Sequence, residues 1–153
     1  MFHQENASPG QSRGYATIAE AAAGFGADFY FFTRTTGREC AANLYSGIEQ
    51  GELRYHYDNV RFGGQYCVAL YVPNCWVEGG RTFVGCVHTH PPAPNGRNAR
   101  FSGYDVCSFR RLLERRPEGN QFEAFLVPQE DRLIRFVDGA VVWEEEVTLP
   151  QEV

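Results

Sequence analysis

Apolar and polar positions along this chain repeat with two different periods, and the change of period predicts its elements. Residues 16–32 and 102–116 repeat apolar positions at helical spacing, so we expect two main helices. The first pattern has a break at Gly24 or Gly26, and the second stops at Pro117. Short runs rich in β-branched and aromatic residues predict strands at 39–46, 52–57, 66–72, 81–88, 121–127, 132–137 and 140–147.

The order of these elements predicts an α/β fold with one mixed sheet. The near-continuous apolar run at 66–72 is typical of a central strand. Residues 47–51 form the predicted loop of a hairpin, and Asp138-Gly139 is a tight turn in the closing meander. A chain of 153 residues fits one domain, which we place at 15–153. The polar segment 1–14, which contains Gly and Pro, predicts a flexible N-terminal arm.

Composition narrows the classes of partner. A net charge of -5 argues against nucleic-acid binding, which needs a basic face. We find neither an apolar stretch long enough to span a membrane nor a signal-peptide pattern, so we expect no membrane association. None of the five cysteines forms a Cys-x-x-Cys pair, and their number is odd. A zinc ribbon or a complete disulfide framework is therefore not expected.

Two histidines at the end of a strand are the strongest chemical signal. His88 and His90 are two residues apart, so their side chains point to the same face of the strand. The Pro91-Pro92 pair ends that strand. Ser102 is the predicted N-cap of the second helix, which puts Asp105 in its first turn. Two imidazoles and one carboxylate would bind zinc and leave a fourth position for water, as in catalytic sites.

These residues resemble the JAMM metallopeptidase motif. That motif combines an upstream Glu with His-Thr-His-Pro and Ser-x-x-Asp, which here are Glu39, His88-Thr89-His90-Pro91 and Ser102-Gly103-Tyr104-Asp105. The loop before Ser102 is a few residues longer than usual. Segments 15–23, 36–42 and 86–90 resemble JAB-like domains of bacterial polymorphic toxins, with Cys40-Ala41-Ala42 in place of an aromatic residue and two glycines. The resemblance implies a JAB/MPN-like domain.

The resemblance also implies a function and a role for each residue. His88, His90 and Asp105 would bind zinc, Glu39 would move a proton of the attacking water, and Ser102 would stabilise the oxyanion. The implied activity is hydrolysis of peptide or isopeptide bonds. Glu52 is the rival upstream carboxylate, but Glu39 lies 49 residues before His88, a separation typical of the family. The toxin likeness implies a cytoplasmic or secreted effector, a protein or peptide substrate and a cognate immunity protein.

Three other functions stay open at this point. The first is a non-catalytic MPN-like interaction module, although such modules typically lose the histidines. The second is a cysteine hydrolase in which Cys86 is the nucleophile and a neighbouring histidine is the base. The third is a metal-dependent nuclease, against which the acidic charge balance and the lack of a basic stripe argue.

Overall fold

The computed structural model describes residues 14–65, 68–93, 98–139 and 141–149. Over these residues the chain is a mixed α/β fold with a seven-stranded sheet and two helices, which confirms the predicted class. The helices are α1 (Ile18–Thr36) and α2 (Gly103–Arg115). The strands are β1 (Cys40–Glu49), β2 (Glu52–Phe62), β3 (Val77–Glu78), β4 (Arg81–Thr89), β5 (Glu123–Gln129), β6 (Arg132–Phe136) and β7 (Glu144–Glu146).

The strand β4, which contains His88 and is followed directly by His90, lies inside the sheet. The order is β2-β1-β4-β5-β6-β7, and the short strand β3 also pairs with β4. The β4–β5 pair is parallel, whereas the other pairs are antiparallel. A parallel pair needs a long crossover connection, and the segment containing α2 supplies it. The crossover therefore brings the start of α2 back to the end of β4.

Each helix covers one face of the sheet. On the α1 face, Phe25 of the helix is buried in one cluster with strand residues such as Leu44 and Val87. On the α2 face, Phe109 is buried in a second cluster with Phe83 and Cys86. Phe83 and Cys86 share this face although they are three residues apart, because a bulge in β4 sets two of its residues against one residue of β1.

The first helix and the first hairpin are longer than predicted. The helix α1 has no break at its glycines and continues to Thr36, where Gly37 ends it at a φ of 72°. At Gly26 a Cβ would lie 3.1 Å from the Val127 side chain, so this glycine permits close packing on β5. The hairpin turn is the pair Gln50-Gly51, whose φ angles of 53° and 81° match a two-residue turn. The predicted 47–51 loop is therefore mostly strand.

The predicted central strand at 66–72 is wrong for the residues that the structure describes. Residues 68–72 adopt no helix or strand, and Leu70, Tyr71 and Val72 are exposed. Among the described strands, β1 and β5 flank β4, and the short strand β3 pairs with its first residues, so no central place is left for this segment. Residues 66 and 67 lie outside the described part of the chain.

Other sequence expectations fall partly outside the described residues. Of the predicted N-terminal arm, residues 1–13 lie outside, and so do 94–97 of the loop before α2. The last strand is only Glu144–Glu146, shorter than the predicted 140–147, whose first residue also lies outside. Neither described helix combines the length and apolar character that crossing a membrane would require.

Candidate metal centre

The centre forms where β4 ends. His88 is near the end of the strand, and His90 follows it with its main-chain N–H donating to the Val127 carbonyl of β5 at 3.2 Å. Both imidazoles are buried. Their Nε2 atoms are 3.1 Å apart, so the two rings converge on one point. The same-face placement expected from the spacing of two residues is what the structure shows.

Asp105 joins the two imidazoles from the start of α2. Its Oδ2 lies 3.3 Å from His88 Nε2 and 3.5 Å from His90 Nε2. A capping box fixes this position, because the Ser102 N–H donates to Asp105 Oδ2 at 2.9 Å and Ser102 Oγ accepts from the Asp105 N–H at 3.0 Å. The cap that starts the helix therefore also holds a carboxylate against the histidine pair.

Glu39 reaches the same point from the residue before β1. Its N–H donates to the Gly64 carbonyl and its carbonyl accepts from the Gly63 N–H, both at 2.8 Å. Its Oε2 lies 3.8 Å from His90 Nε2, and the carboxylate is buried. The ligand atoms of Glu39, His88 and His90 all lie within 4.8 Å of one another, so these three residues could hold a metal ion.

The rival carboxylate, Glu52, is elsewhere. It is the first residue of β2, exposed, and forms an ion pair with Arg54. The β2 residue in register with His88, through Ala41 of β1, is Arg61, which lies nine residues after Glu52. At strand spacing that separation is about 30 Å, so Glu52 is too far from the histidines to act there.

Burial and charge shift the pKa values of these groups. Burial raises the pKa of Glu39, and the charge of Asp105 adds to this effect while the two histidines oppose it. Burial would also raise the pKa of Asp105, but the charge of His88 and the hydrogen bonds from both histidines hold it well below its usual range. Burial alone would lower the pKa of His90, yet its bond to Asp105 and the charge of Glu39 raise it. The two carboxylates, Asp105 and Glu39, therefore differ in proton affinity.

Two residues that the sequence did not single out hold His90 in place. Its Nδ1–H donates to the Asn98 carbonyl at 3.0 Å, which leaves the Nε2 lone pair directed at the centre. Asn98 in turn donates through Nδ2 to the Pro91 carbonyl at 2.7 Å. The buried Tyr30 hydroxyl lies 3.0 Å from the His90 carbonyl and 2.7 Å from the Pro128 carbonyl, and its single proton can be donated to either. Neither residue belongs to a local sequence pattern that could have identified it.

A cavity of about 650 Å³ opens over the centre. Ser102 lines it, and because its Oγ accepts from Asp105, the hydroxyl proton is still available to donate. Cys86 also lines the cavity, but its thiol is buried, which raises its pKa to about 12. A thiol that stays protonated is a poor nucleophile, so the geometry does not favour the cysteine-hydrolase interpretation.

The donor set fits a tetrahedral ion. Ligand distances of about 2.0–2.1 Å around zinc correspond to edges of about 3.3–3.4 Å between neighbouring ligand atoms. The three distances among His88 Nε2, His90 Nε2 and Asp105 Oδ2 are 3.1, 3.3 and 3.5 Å. Two imidazoles with a carboxylate are also a common zinc set in hydrolytic enzymes. No family model, curated protein or solved structure matches the chain.

Proposed function

We propose that the chain is a zinc-dependent hydrolase of the JAMM type, which cleaves peptide or isopeptide bonds. The observation that carries the proposal is the triangle of His88, His90 and Asp105 donor atoms, with edges of 3.1–3.5 Å and a fourth side open to the cavity. A resident zinc ion lowers the pKa of a bound water towards neutrality and polarises an amide carbonyl.

Asp105 is the third ligand in this proposal, and Glu39 is the base. Asp105 Oδ2 is within 3.5 Å of both Nε2 atoms, close to a tetrahedral edge, whereas Glu39 Oε2 is 3.8 Å from His90. From this difference in distance we assign Asp105 as the ligand and Glu39 as the group beside the bound water. A buried carboxylate in this place suits a group that first accepts a proton from the bound water and then releases it.

The residues divide the reaction between them. Glu39 accepts a proton from the attacking water as the water oxygen bonds to the carbonyl carbon. The Ser102 hydroxyl donates a hydrogen bond to the oxyanion that forms. Glu39 then delivers its proton to the leaving nitrogen as the carbon–nitrogen bond breaks. Asn98 keeps the His90 ring oriented throughout, because it holds Nδ1.

The test pairs Glu39→Gln with Glu52→Gln. The first variant should keep zinc and lose about a hundred- to ten-thousandfold in the rate of peptide cleavage, because an amide cannot accept the proton. The second changes an exposed carboxylate and should cleave at the wild-type rate. Zinc content is measured by atomic absorption and cleavage by mass spectrometry of a peptide library. Zinc binding without cleavage of any peptide or isopeptide would favour a non-catalytic MPN-like module.

We further infer that the domain acts as a toxin or effector. The likeness of 15–23, 36–42 and 86–90 to JAB-like toxin domains supports this role and a cognate immunity protein as partner. Expression in a bacterial host should then arrest growth, and His88→Ala should relieve the arrest. If wild type and His88→Ala were equally toxic, the toxicity would not depend on the metal centre.

A further inference from the structure

A second charged group faces the cavity from β2. Arg61 lies directly opposite Ala41 of β1, and Ala41 lies directly opposite His88 of β4. Directly paired residues of neighbouring strands point to the same face of a sheet. Arg61 and His88 therefore face the same side, and both line the cavity. No local pattern in the sequence connects them.

Three contacts fix the Arg61 guanidinium. Nε donates to the Ala69 carbonyl at 2.7 Å, and Nη1 donates to the Asn59 carbonyl at 2.6 Å and to Asn43 Oδ1 at 3.3 Å. A bulge in β2 and the positive φ of 56° at Asn59 help to turn that carbonyl towards Arg61. Asn43 is itself fully buried and donates to the Tyr45 hydroxyl at 3.1 Å. The fork is therefore held in one orientation.

The remaining nitrogen of this guanidinium is Nη2. It is buried, and it has no hydrogen-bond partner among the residues that the structure describes. The titratable groups that act on Arg61 are Cys86, Tyr45 and Tyr71, which are a thiol and two phenols rather than carboxylates. Within the described part of the chain, no ion pair neutralises this arginine. Enclosing a charged donor without a partner is unfavourable, and a bidentate carboxylate is the partner that suits a planar fork best.

The spacing of the sheet gives the separation along the backbone between Asn43, which contacts the guanidinium, and His88. The guanidinium contacts Asn43, which pairs with Cys86, two residues before His88. One strand spacing sideways and two residues along a strand add up to about 8 Å. An extended substrate covers about 3.3–3.6 Å per residue, so about 8 Å corresponds to two residues.

We propose that Arg61 binds a carboxylate of the substrate, so that the enzyme prefers amides with a carboxylate within about two residues of the bond that is cleaved. The carboxylate belongs either to the chain terminus or to an acidic side chain. It reaches Nη2 by displacing the cavity wall at 68–70, which has no helix or strand and contacts Arg61 through Ala69. The proposal deepens the proposed function and rests on it.

The experiment measures binding and needs no turnover. Two pairs of acetylated dipeptides are titrated into the full chain by calorimetry, with zinc and with a chelator. Ac-Ala-Ala is compared with its C-terminal amide, and Ac-Ala-Asp-amide with Ac-Ala-Asn-amide. In at least one pair the acid should bind about ten- to a hundredfold more tightly, in zinc and in chelator alike. The pair that shows the preference identifies the source of the carboxylate.

Arginine variants provide the controls. Arg61→Gln should remove the acid preference, and Arg61→Lys should retain part of it because the charge stays while the fork is lost. The matched control Arg34→Gln changes an exposed arginine of α1 that pairs with Glu130, and it should behave as wild type. Equal binding of acid and amide by wild type would overturn the proposal without any variant. So would an acid preference that persists in Arg61→Gln, or one that exists only with zinc. Failure of peptide cleavage would leave this result unaffected.

Discussion

Asp105 belongs to the capping box of α2 and is also the proposed third zinc ligand. The substitution Asp105→Asn separates these two roles. The amide oxygen of Asn can still accept from the Ser102 N–H, so α2 keeps its cap. The Asn side chain is uncharged, however, and it is therefore a weaker metal ligand than the carboxylate. In wild type, Asp105 Oδ2 lies 3.3 Å from His88 Nε2 and 3.5 Å from His90 Nε2. In chelator we expect the unfolding free energy to fall by about 1–3 kcal/mol, because the charge at the helix end and its hydrogen bonds to two buried imidazoles are lost.

Thermodynamic linkage between zinc binding and folding gives the size of the stabilisation that Asp105→Asn should lose. Zinc at a hundred times its dissociation constant stabilises the folded protein by about 2.7 kcal/mol. For a domain of this size, that is a rise of about 5–10 °C in melting temperature. Losing a partner that only orients a ligand costs about ten- to a hundredfold in affinity, so losing the ligand itself should cost at least a hundredfold. The same zinc concentration then stabilises the variant by only about 0.4 kcal/mol, or about 1 °C.

The assay is differential scanning fluorimetry with and without zinc, on wild type and three variants. Asp105→Asn should lose most of the zinc-induced rise, and Glu39→Gln should keep it. Ser102→Ala loses the capping hydroxyl and should melt lower by a similar amount with or without zinc, while its zinc-induced rise stays intact. If Glu39→Gln loses the rise and Asp105→Asn keeps it, the ligands are Glu39, His88 and His90, and Asp105 only caps the helix.

Two further predictions concern the scaffold. A Cβ at Gly85 would lie 2.0 Å from a main-chain oxygen of β5, so Gly85→Ala should lower the unfolding free energy in urea by about 3 kcal/mol, and an unchanged midpoint would contradict this close packing. Hydrogen bonds from the Gly14 N–H and from His56 lower the pKa of Glu49, so its stabilisation is complete above the usual pKa of Glu and is lost as the pH falls through the lower folded value. Wild type should therefore exceed Glu49→Gln in stability at pH 7 and approach it below about pH 4, whereas a gap that widens in acid would refute the assignment.

The part of the centre that the sequence predicted depends on short-range geometry. His88 and His90 share a face because strand side chains alternate, and Asp105 lies in a first helical turn because Ser102 caps it. Neither relation requires knowledge of how the elements pack. The meeting of β4 with the start of α2 was expected only from the motif, and the parallel β4–β5 pair supplies its structural cause.

The parts that the sequence did not predict depend on pairing between distant strands. Arg61 comes level with His88 only because β1 lies between β2 and β4 in one particular register. The 66–72 run was predicted as a central strand because apolar content does not say which surface covers it. Residues 68–70 of this run instead border the cavity, where Leu70 is 40% exposed. An exposed apolar segment beside a functional cavity and a buried strand have the same local composition.

The bulge in β4 determines where this strand tolerates a change of length. Around it, Phe83 pairs with Tyr45 and Gly85 with Leu44, so β4 contains one residue more than regular pairing needs. Deleting a residue at the bulge would leave Phe83 and His88 on the same face, because the strand would simply become regular. Deleting a residue between Gly85 and His88 would instead reverse the parity and turn the imidazole towards the α1 side. The strand therefore tolerates a change of length at the bulge. It does not tolerate one between Gly85 and His88, where the number of residues decides which face the imidazole occupies.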